Sequence, residues 1–231
     1  DLKIMGLETD FVAGVNDRIG LDGSTKNGDP SPSTAYGTFV GVCAAARHQL
    51  GRSDLEGLKV AIQGVGNVGY RLAEHLYHSG AELFVTDIHK EQVERAVTEL
   101  NAKAVSAEEI IALDVDVFAP CALGAVINDK ALDQLQAKVV AGAANNQLAE
   151  DRHGELLKQK GVLYAPDFVI NAGGIIDIGL QRDGLAPAAI HNKLEDIGDT
   201  LSEIFERAER DAQPTSIIAN RIAEERFGFC G

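Results

Sequence analysis

Three glycines define the chemistry that this chain can do. Gly64, Gly66 and Gly69 follow the apolar run Lys59–Gln63 at the spacing G-x-G-x-x-G, and helix-forming residues begin directly after them. In such a motif the first glycine permits a tight turn. The second lets backbone approach a pyrophosphate, and the third lets the helix sit close on the strand. The helix N-terminus then offers free N–H groups and a partial positive charge to phosphate oxygens. Asp87 closes the next strand-like run, Leu83–Thr86, about twenty residues on. A carboxylate there accepts both ribose hydroxyls of NAD and repels the 2′-phosphate of NADP. The bland alternative is a structural strand-to-helix turn. It does not account for the full series of strand, glycines, helix, strand and acid.

The motif does not name a reaction, because many chemistries use this half-fold. Ligands of such sheets lie beyond the carboxyl ends of the strands, so the loops there carry the rest of the reading. Pro120-Cys121-Ala122-Leu123-Gly124-Ala125 is small and apolar, suited to a flat ring or a ribose, or to a plain turn. Gly142-Ala143-Ala144-Asn145-Asn146-Gln147 places amides after small residues. Amides at a strand end either form turns or bind ligand. In Pro166–Gly174 an asparagine, Asn171, precedes Gly173-Gly174. Paired glycines mark a backbone that comes close to something, or a helix interrupted for packing.

The elements that position these loops follow from periodicity. Strands are expected at Lys59–Gln63, Glu82–Thr86, Val115–Ala119, Lys138–Ala141 and Val162–Ala165, with helices between them at Asn67–His78, Lys90–Leu100, Ala107–Leu113, Lys130–Leu135 and Arg152–Gln159. This alternation predicts an α/β fold, a doubly wound Rossmann-like parallel sheet with strand order 3-2-1-4-5-6. Before it, Gly20–Pro32 reads as a loop. Thr34–Leu50 reads as a helix, with Ser33 or Thr34 as its cap. After it, Pro187 opens a long amphipathic helix through Ala212, and Pro214 opens another. Those extra C-terminal helices cover this sheet or pack on a domain or subunit neighbour.

The chain has 231 residues, enough for one large core. It carries a net charge of −14, which excludes nucleic acid and an anionic membrane surface as expected partners. No apolar run reaches membrane-spanning length. Cys43, Cys121 and Cys230 are widely spaced, so neither a disulfide framework nor a zinc site is expected, and free thiols suit a reducing cytoplasm. The six histidines form no metal-like cluster; His75 and His78 share a helix face without a carboxylate partner.

Five motifs in one order resemble the amino-acid dehydrogenases that act on Glu, Leu, Phe and Val. They are Gly28–Gly37, Leu58–Gly69, Val85–Glu91, Phe118–Gly124 and Tyr164–Gly174. The resemblance runs nearly end to end and is strongest to the members acting on leucine. It implies oxidative deamination: an L-amino acid, NAD and water give the 2-oxo acid, ammonia and NADH. Carried over by position, Thr34 and Asn171 hold the nicotinamide end, and Gly64, Gly66, Asn67, Val68 and Gly69 hold the pyrophosphate. Asp87 and Ile88 take the adenosine side, and Cys121, Ala122 and Asn146 contact the nicotinamide riboside. Ile175 and Ile178 line the substrate side-chain pocket. Two branched aliphatics there suit leucine, valine or isoleucine better than phenylalanine, and offer no cation to glutamate.

The family's catalytic lysine, its carboxylate-binding lysine in a G-G-x-K setting and its catalytic aspartate have no counterpart here. The chain is therefore expected to be a C-terminal NAD-binding portion, inactive alone, in a protein that assembles as a homo-oligomer. Residues 1–50 would form a linker and helix, 51–185 the Rossmann core and 186–231 the closing helices. A non-catalytic NAD-responsive module is the alternative from another class.

Overall fold

The computed structural model describes residues 18–19, 25–26, 29–183 and 186–228. Two short strands pair antiparallel, β1 (Arg18–Ile19) just before the stretch Gly20–Pro32 expected to be loop and β2 (Thr25–Lys26) within it. Most of that stretch, and Cys230, lie outside the described residues. Helix α1 runs Ser31–Leu50 and so starts before the predicted cap. Ser33 and Thr34 lie inside its first turn. The Ser31 N–H instead donates to Asp29 Oδ1 at 2.9 Å. Pro32 is tolerated there because first-turn N–H groups have no partner in the helix.

The remainder alternates. β3 (Lys59–Gln63) leads to α2 (Asn67–His78), β4 (Glu82–Thr86) to α3 (Lys90–Leu100) and β5 (Lys103–Ala104) to a 3₁₀ turn (Ile110–Ala112). β6 (Val117–Pro120) leads to α4 (Asp129–Gln134), β7 (Val139–Val140) to α5 (Arg152–Gln159) and β8 (Leu163–Tyr164) to the short α6 (Asp167–Ile170). Then come α7 (Gly173–Arg182), α8 (Pro187–Asp211) and α9 (Thr215–Phe227). The six-stranded sheet runs β5-β4-β3-β6-β7-β8, every neighbouring pair parallel. Numbered within the sheet, that is the expected 3-2-1-4-5-6. The sequence reading missed its third member, β5, a two-residue edge strand with both residues exposed, which gives no hydrophobic signal. The helix expected at Ala107–Leu113 is only the 3₁₀ turn.

The strands bury both faces, as parallel sheets do. Val60, Ile62, Val117, Ala119 and Val139 point to one side, where α1, α2 and the C-terminal helices pack. Ala61, Phe118 and Val140 point to the other, against Ile110, Leu132 and Leu157. The register alternates residue by residue because successive Cβ atoms leave a strand on opposite sides. Helix α8 buries Ile190, Leu194, Ile197, Leu201, Ile204, Phe205 and Ala208, the amphipathic stripe expected of it. The stripe packs against this chain's own helices. Ile197 and Leu201 reach Gly37 and Gly41 of α1, where an added Cβ would come within 2.6 and 2.9 Å of them. No described helix is long and apolar enough to cross a membrane.

Where α1, α2 and α8 meet, Tyr36 stacks on His191 at 4.3 Å and donates to Glu195 Oε1 at 2.8 Å. His75 sits edge-on to Tyr36 and against Phe39, with centroids 5.6 and 5.3 Å away. Burial first, then the neighbouring His78, Arg71 and His191, hold the His75 imidazole below its ordinary value of 6.5. The unfolded chain therefore takes up this proton at higher pH than the folded one, and stability falls as pH drops below about 6.5. Urea unfolding between pH 8 and 5.5 is expected to show this loss. His75→Phe, which keeps the ring and removes the titration, is expected to flatten it; an unchanged slope would count against His75 as its source.

Candidate dinucleotide site

At the carboxyl end of β3 the chain turns at Gly64, whose φ of +98° favours glycine. A Cβ there would also lie 2.7 Å from that of Ala122. A Cβ on Gly69 would lie 2.0 Å from the carbonyl oxygen of Gly64, so the third glycine is what brings α2 onto the turn. Gly66 differs from both. Its φ is −72°, acceptable to any residue, and an added Cβ would meet nothing within 4 Å. The protein itself gives no steric reason for glycine at 66, whereas a ligand pressed against that backbone would.

Gly66 is also the N-cap of α2. No side chain caps the helix and no acidic residue stands in its first turn. Among the described residues, the N–H groups of Asn67, Val68 and Gly69 have no bonding partner, and the first ladder bond, Tyr70 N–H to Gly66 O at 2.9 Å, begins after them. Uncapped donors, the positive end of the helix dipole and an open glycine make a seat for an anion.

Asp87 flanks the turn. Its Oδ2 accepts from the Val65 N–H at 2.8 Å and its Oδ1 from the His89 N–H at 2.9 Å. Beside it opens a cavity of about 860 Å³, lined by Gly64, Asp87, Ile88, Val105, Ala122 and Leu123, among others. Ile88 and Leu123 are 90% and 83% exposed at its rim, unusual for large apolar side chains. A mainly apolar slot with the Asp87 carboxylate in its wall beside the glycine turn matches the chemistry of an adenosine.

On the other side of the glycine turn the loops after β6, β7 and β8 converge. The Cys121 N–H donates to Gln63 O at 2.8 Å, and the Cys121 Cβ would be 3.1 Å from a Cβ on Gly69. Burial pushes the Cys121 thiol up to about 11, so it stays protonated at neutral pH. The paired glycines Gly173 and Gly174 open α7 against the start of α1. Added Cβ atoms there would sit 2.1 Å from Ser33 O and 2.6 Å from Thr34 Oγ1. Their close approach is thus to the start of the protein's own helix α1, backbone at Ser33 and side chain at Thr34, the packing alternative. It brings Thr34, Asn171 and the 73%-exposed Ile175 to one place. Ile178, half-buried, follows one turn later on α7.

Sequence reasoning gave no role of its own to three side chains here. Asn145 Oδ1 accepts from Asn171 Nδ2 at 2.6 Å, and Ala143 O accepts from the same nitrogen at 3.3 Å. Asn146, the residue expected at the riboside, makes a left-handed turn, with φ +51° and a carbonyl that accepts from the Ala125 N–H at 2.6 Å. Gln147 is fully buried and its Nε2 ties down Gly142 O and Ala144 O at 2.7 and 2.9 Å. The third is Asp177, buried within α7, whose Oδ2 accepts from Ser33 Oγ at 2.6 Å. The amide cluster was visible in the sequence, but which amide did what was not. Asp177 had a weaker signal, a lone acid in Ile175-Ile176-Asp177-Ile178.

One set of metal-ligand types does converge. Among the described residues, Asp129, Glu150 and His153 bring ligand atoms within 4.8 Å of one another. The Arg152 guanidinium already bridges both carboxylates, at 2.6 Å to Asp129 and 2.9 Å to Glu150. A resident cation thus satisfies those charges.

Residues 28–87 and 85–224 match the family model for Glutamate/Leucine/Phenylalanine/Valine dehydrogenase. The chain belongs to this dehydrogenase family. It is 48% identical to leucine dehydrogenase of Bacillus cereus over 98% of its own length, and 49% identical to that of Geobacillus stearothermophilus over the same share. It spans 61% and 60% of those two relatives. The crystal structure of L-tryptophan dehydrogenase from Nostoc punctiforme superposes with a TM-score of 0.85 at 42% identity, covering 87% of this chain and 62% of that one. A hetero-hexameric glutamate dehydrogenase from Thermus thermophilus, 23% identical with a TM-score of 0.68, shares the fold over 87% of this chain and 52% of its own.

Proposed function

We propose that this chain is the NAD-binding portion of an L-amino-acid dehydrogenase that oxidatively deaminates branched-chain substrates. The observation that carries the reading is the pairing of Gly66, whose missing side chain the protein does not require, with the unbonded N–H groups of Asn67, Val68 and Gly69. Gly64 and Gly69 bring those donors to the carboxyl end of β3. Asp87 meets the adenosine ribose, Ile88 covers the base, and Thr34, Cys121, Ala122, Asn146 and Asn171 surround the nicotinamide end. Bound there, NAD supplies the acceptor for hydride from the substrate α-carbon.

This chain's residues do the holding and the exclusion of water. At the nicotinamide end, Thr34, Asn145 and Asn171 orient by hydrogen bonds, and none of them is an acid or base at neutral pH. The Cys121 thiol, raised to about 11, is no base there either. Amine deprotonation and imine hydrolysis need a group of tuned pKa, which the reading assigns to a second lobe of the longer polypeptide. Ile175 and Ile178 then form one aliphatic wall of a cleft between the lobes. Substrate preference for leucine, valine or isoleucine, cytoplasmic location and homo-oligomeric assembly belong to the same proposal. The likeness to relatives named leucine dehydrogenase supports it.

Calorimetric titration with NAD and then NADP tests the cofactor assignment. NAD is expected to bind at least about tenfold more tightly than NADP, since a 2′-phosphate would meet the Asp87 carboxylate. Equal or tighter NADP binding would refute the role of Asp87, and no binding of either would refute the whole reading. Assay of the longer polypeptide with leucine, valine, isoleucine, phenylalanine and glutamate tests the substrate class.

A further inference from the structure

We infer that Asp87 is a positioning residue for the phosphate-binding turn as well as the recognition group for the ribose. The inference rests on the dinucleotide reading above. Its basis is the count of hydrogen bonds at one carboxylate. An ionised carboxylate offers about four acceptor positions. Two are already taken by backbone: Oδ2 by the Val65 N–H at 2.8 Å and Oδ1 by the His89 N–H at 2.9 Å.

Val65 lies between the first two glycines of the motif, and its side chain is fully buried. Its amide is spent on Asp87, and the amides left for phosphate include those of Gly66, Asn67, Val68 and Gly69. The end of β4 grips the glycine turn at two consecutive residues by different means. Thr86 O accepts from the Gly64 N–H at 2.8 Å, a backbone bond that extends the sheet ladder and survives any side-chain change. The next bond depends on the Asp87 carboxylate alone. The bond to His89, two residues on, ties the start of the β4–α3 turn to the same group.

One lone pair on each oxygen stays available, and together they suit the two hydroxyls of a vicinal diol. Binding at the ribose and at the diphosphate thus shares one charged group. Removing that group to admit a 2′-phosphate also takes the acceptor from Val65 and loosens the diphosphate seat. Substitution at Asp87 alone is then a loss of grip on every dinucleotide, not an exchange of NAD for NADP.

The test separates the two roles with a ligand that lacks the diol. Wild type, Asp87→Ala and Asp87→Asn are titrated calorimetrically with ADP and with 2′,3′-dideoxy-ADP. The strut predicts that Asp87→Ala weakens dideoxy-ADP by about tenfold and ADP by more, since one charge-assisted bond to the turn is lost with either ligand. Dideoxy-ADP affinity within about twofold of wild type would overturn it, leaving Asp87 a ribose ligand only. Amide hydrogen exchange without nucleotide gives a second readout. In Asp87→Ala the Val65 amide is expected to exchange about tenfold faster while the Gly64 amide, held by Thr86 O, does not change. Asp87→Asn, which keeps one oxygen, should fall between. Equal acceleration at both amides, or none at Val65, would overturn the strut. If wild type binds neither nucleotide, the dinucleotide reading fails, and amide exchange still decides the strut.

Discussion

Gly66→Ala is expected to bind NAD at least about thirtyfold more weakly than wild type, a loss of about 2 kcal/mol, with its unfolding free energy moved by less than about 1 kcal/mol. The two effects separate because the protein does not touch the space a Cβ would fill. Nothing lies within 4 Å of it, and with φ at −72° the backbone is extended rather than left-handed. The small stability change is that of alanine replacing glycine at an N-cap. The binding loss comes from a methyl group standing where a diphosphate must meet the N–H groups of α2. Calorimetric titration and urea unfolding of the same sample measure both. A variant that binds NAD as wild type does would show that Gly66 faces no ligand and would remove the main support for the cofactor site.

Gly69→Ala should do the opposite, losing stability first. Its Cβ would stand 2.0 Å from Gly64 O and 3.0 Å from the Gly64 carbonyl carbon, both backbone atoms that no rotamer can move aside. Alanine gains about 1 kcal/mol over glycine in a helix, but forced overpacking against backbone costs more. A net destabilisation of about 2 kcal/mol is expected in urea unfolding. Dinucleotide affinity falls with it, because relief of the clash displaces Gly64 and the turn. A variant as stable as wild type would mean that α2 can shift outward freely and that the third glycine has no packing role.

The contrast between these neighbours shows what one motif leaves open. G-x-G-x-x-G was legible at once and suggested a separate job for each glycine. The tertiary contacts add the physical ground: φ and Ala122 require glycine at 64, the helix requires it at 69, and no neighbouring atom requires it at 66. The loops show the same limit. Asparagines at 145 and 146 were visible as an amide pair, but their division of labour depends on a left-handed backbone at Asn146, which turns its neighbour toward Asn171. Gly173-Gly174 could mean ligand or packing. The position of Ser33, some 140 residues earlier in the chain, resolves it toward packing.

Local pattern by itself determined the class of fold, the strand order, the helices α2, α3, α4, α5 and α8 to within a residue or two, the start of α9, and the acid that closes β4. These follow from hydrophobic period, glycine and proline, which act over a few neighbouring residues. What only the folded chain decided was everything that joins distant segments. This includes the edge strand β5, which exists because Phe84 and Val85 offer it a ladder. It also includes the Ser33–Asp177 bond and the commitment of the Asp87 carboxylate to two turns. Hydrogen-bond partners are set by three-dimensional proximity, and one-dimensional spacing carries no record of it once the chain has crossed the sheet.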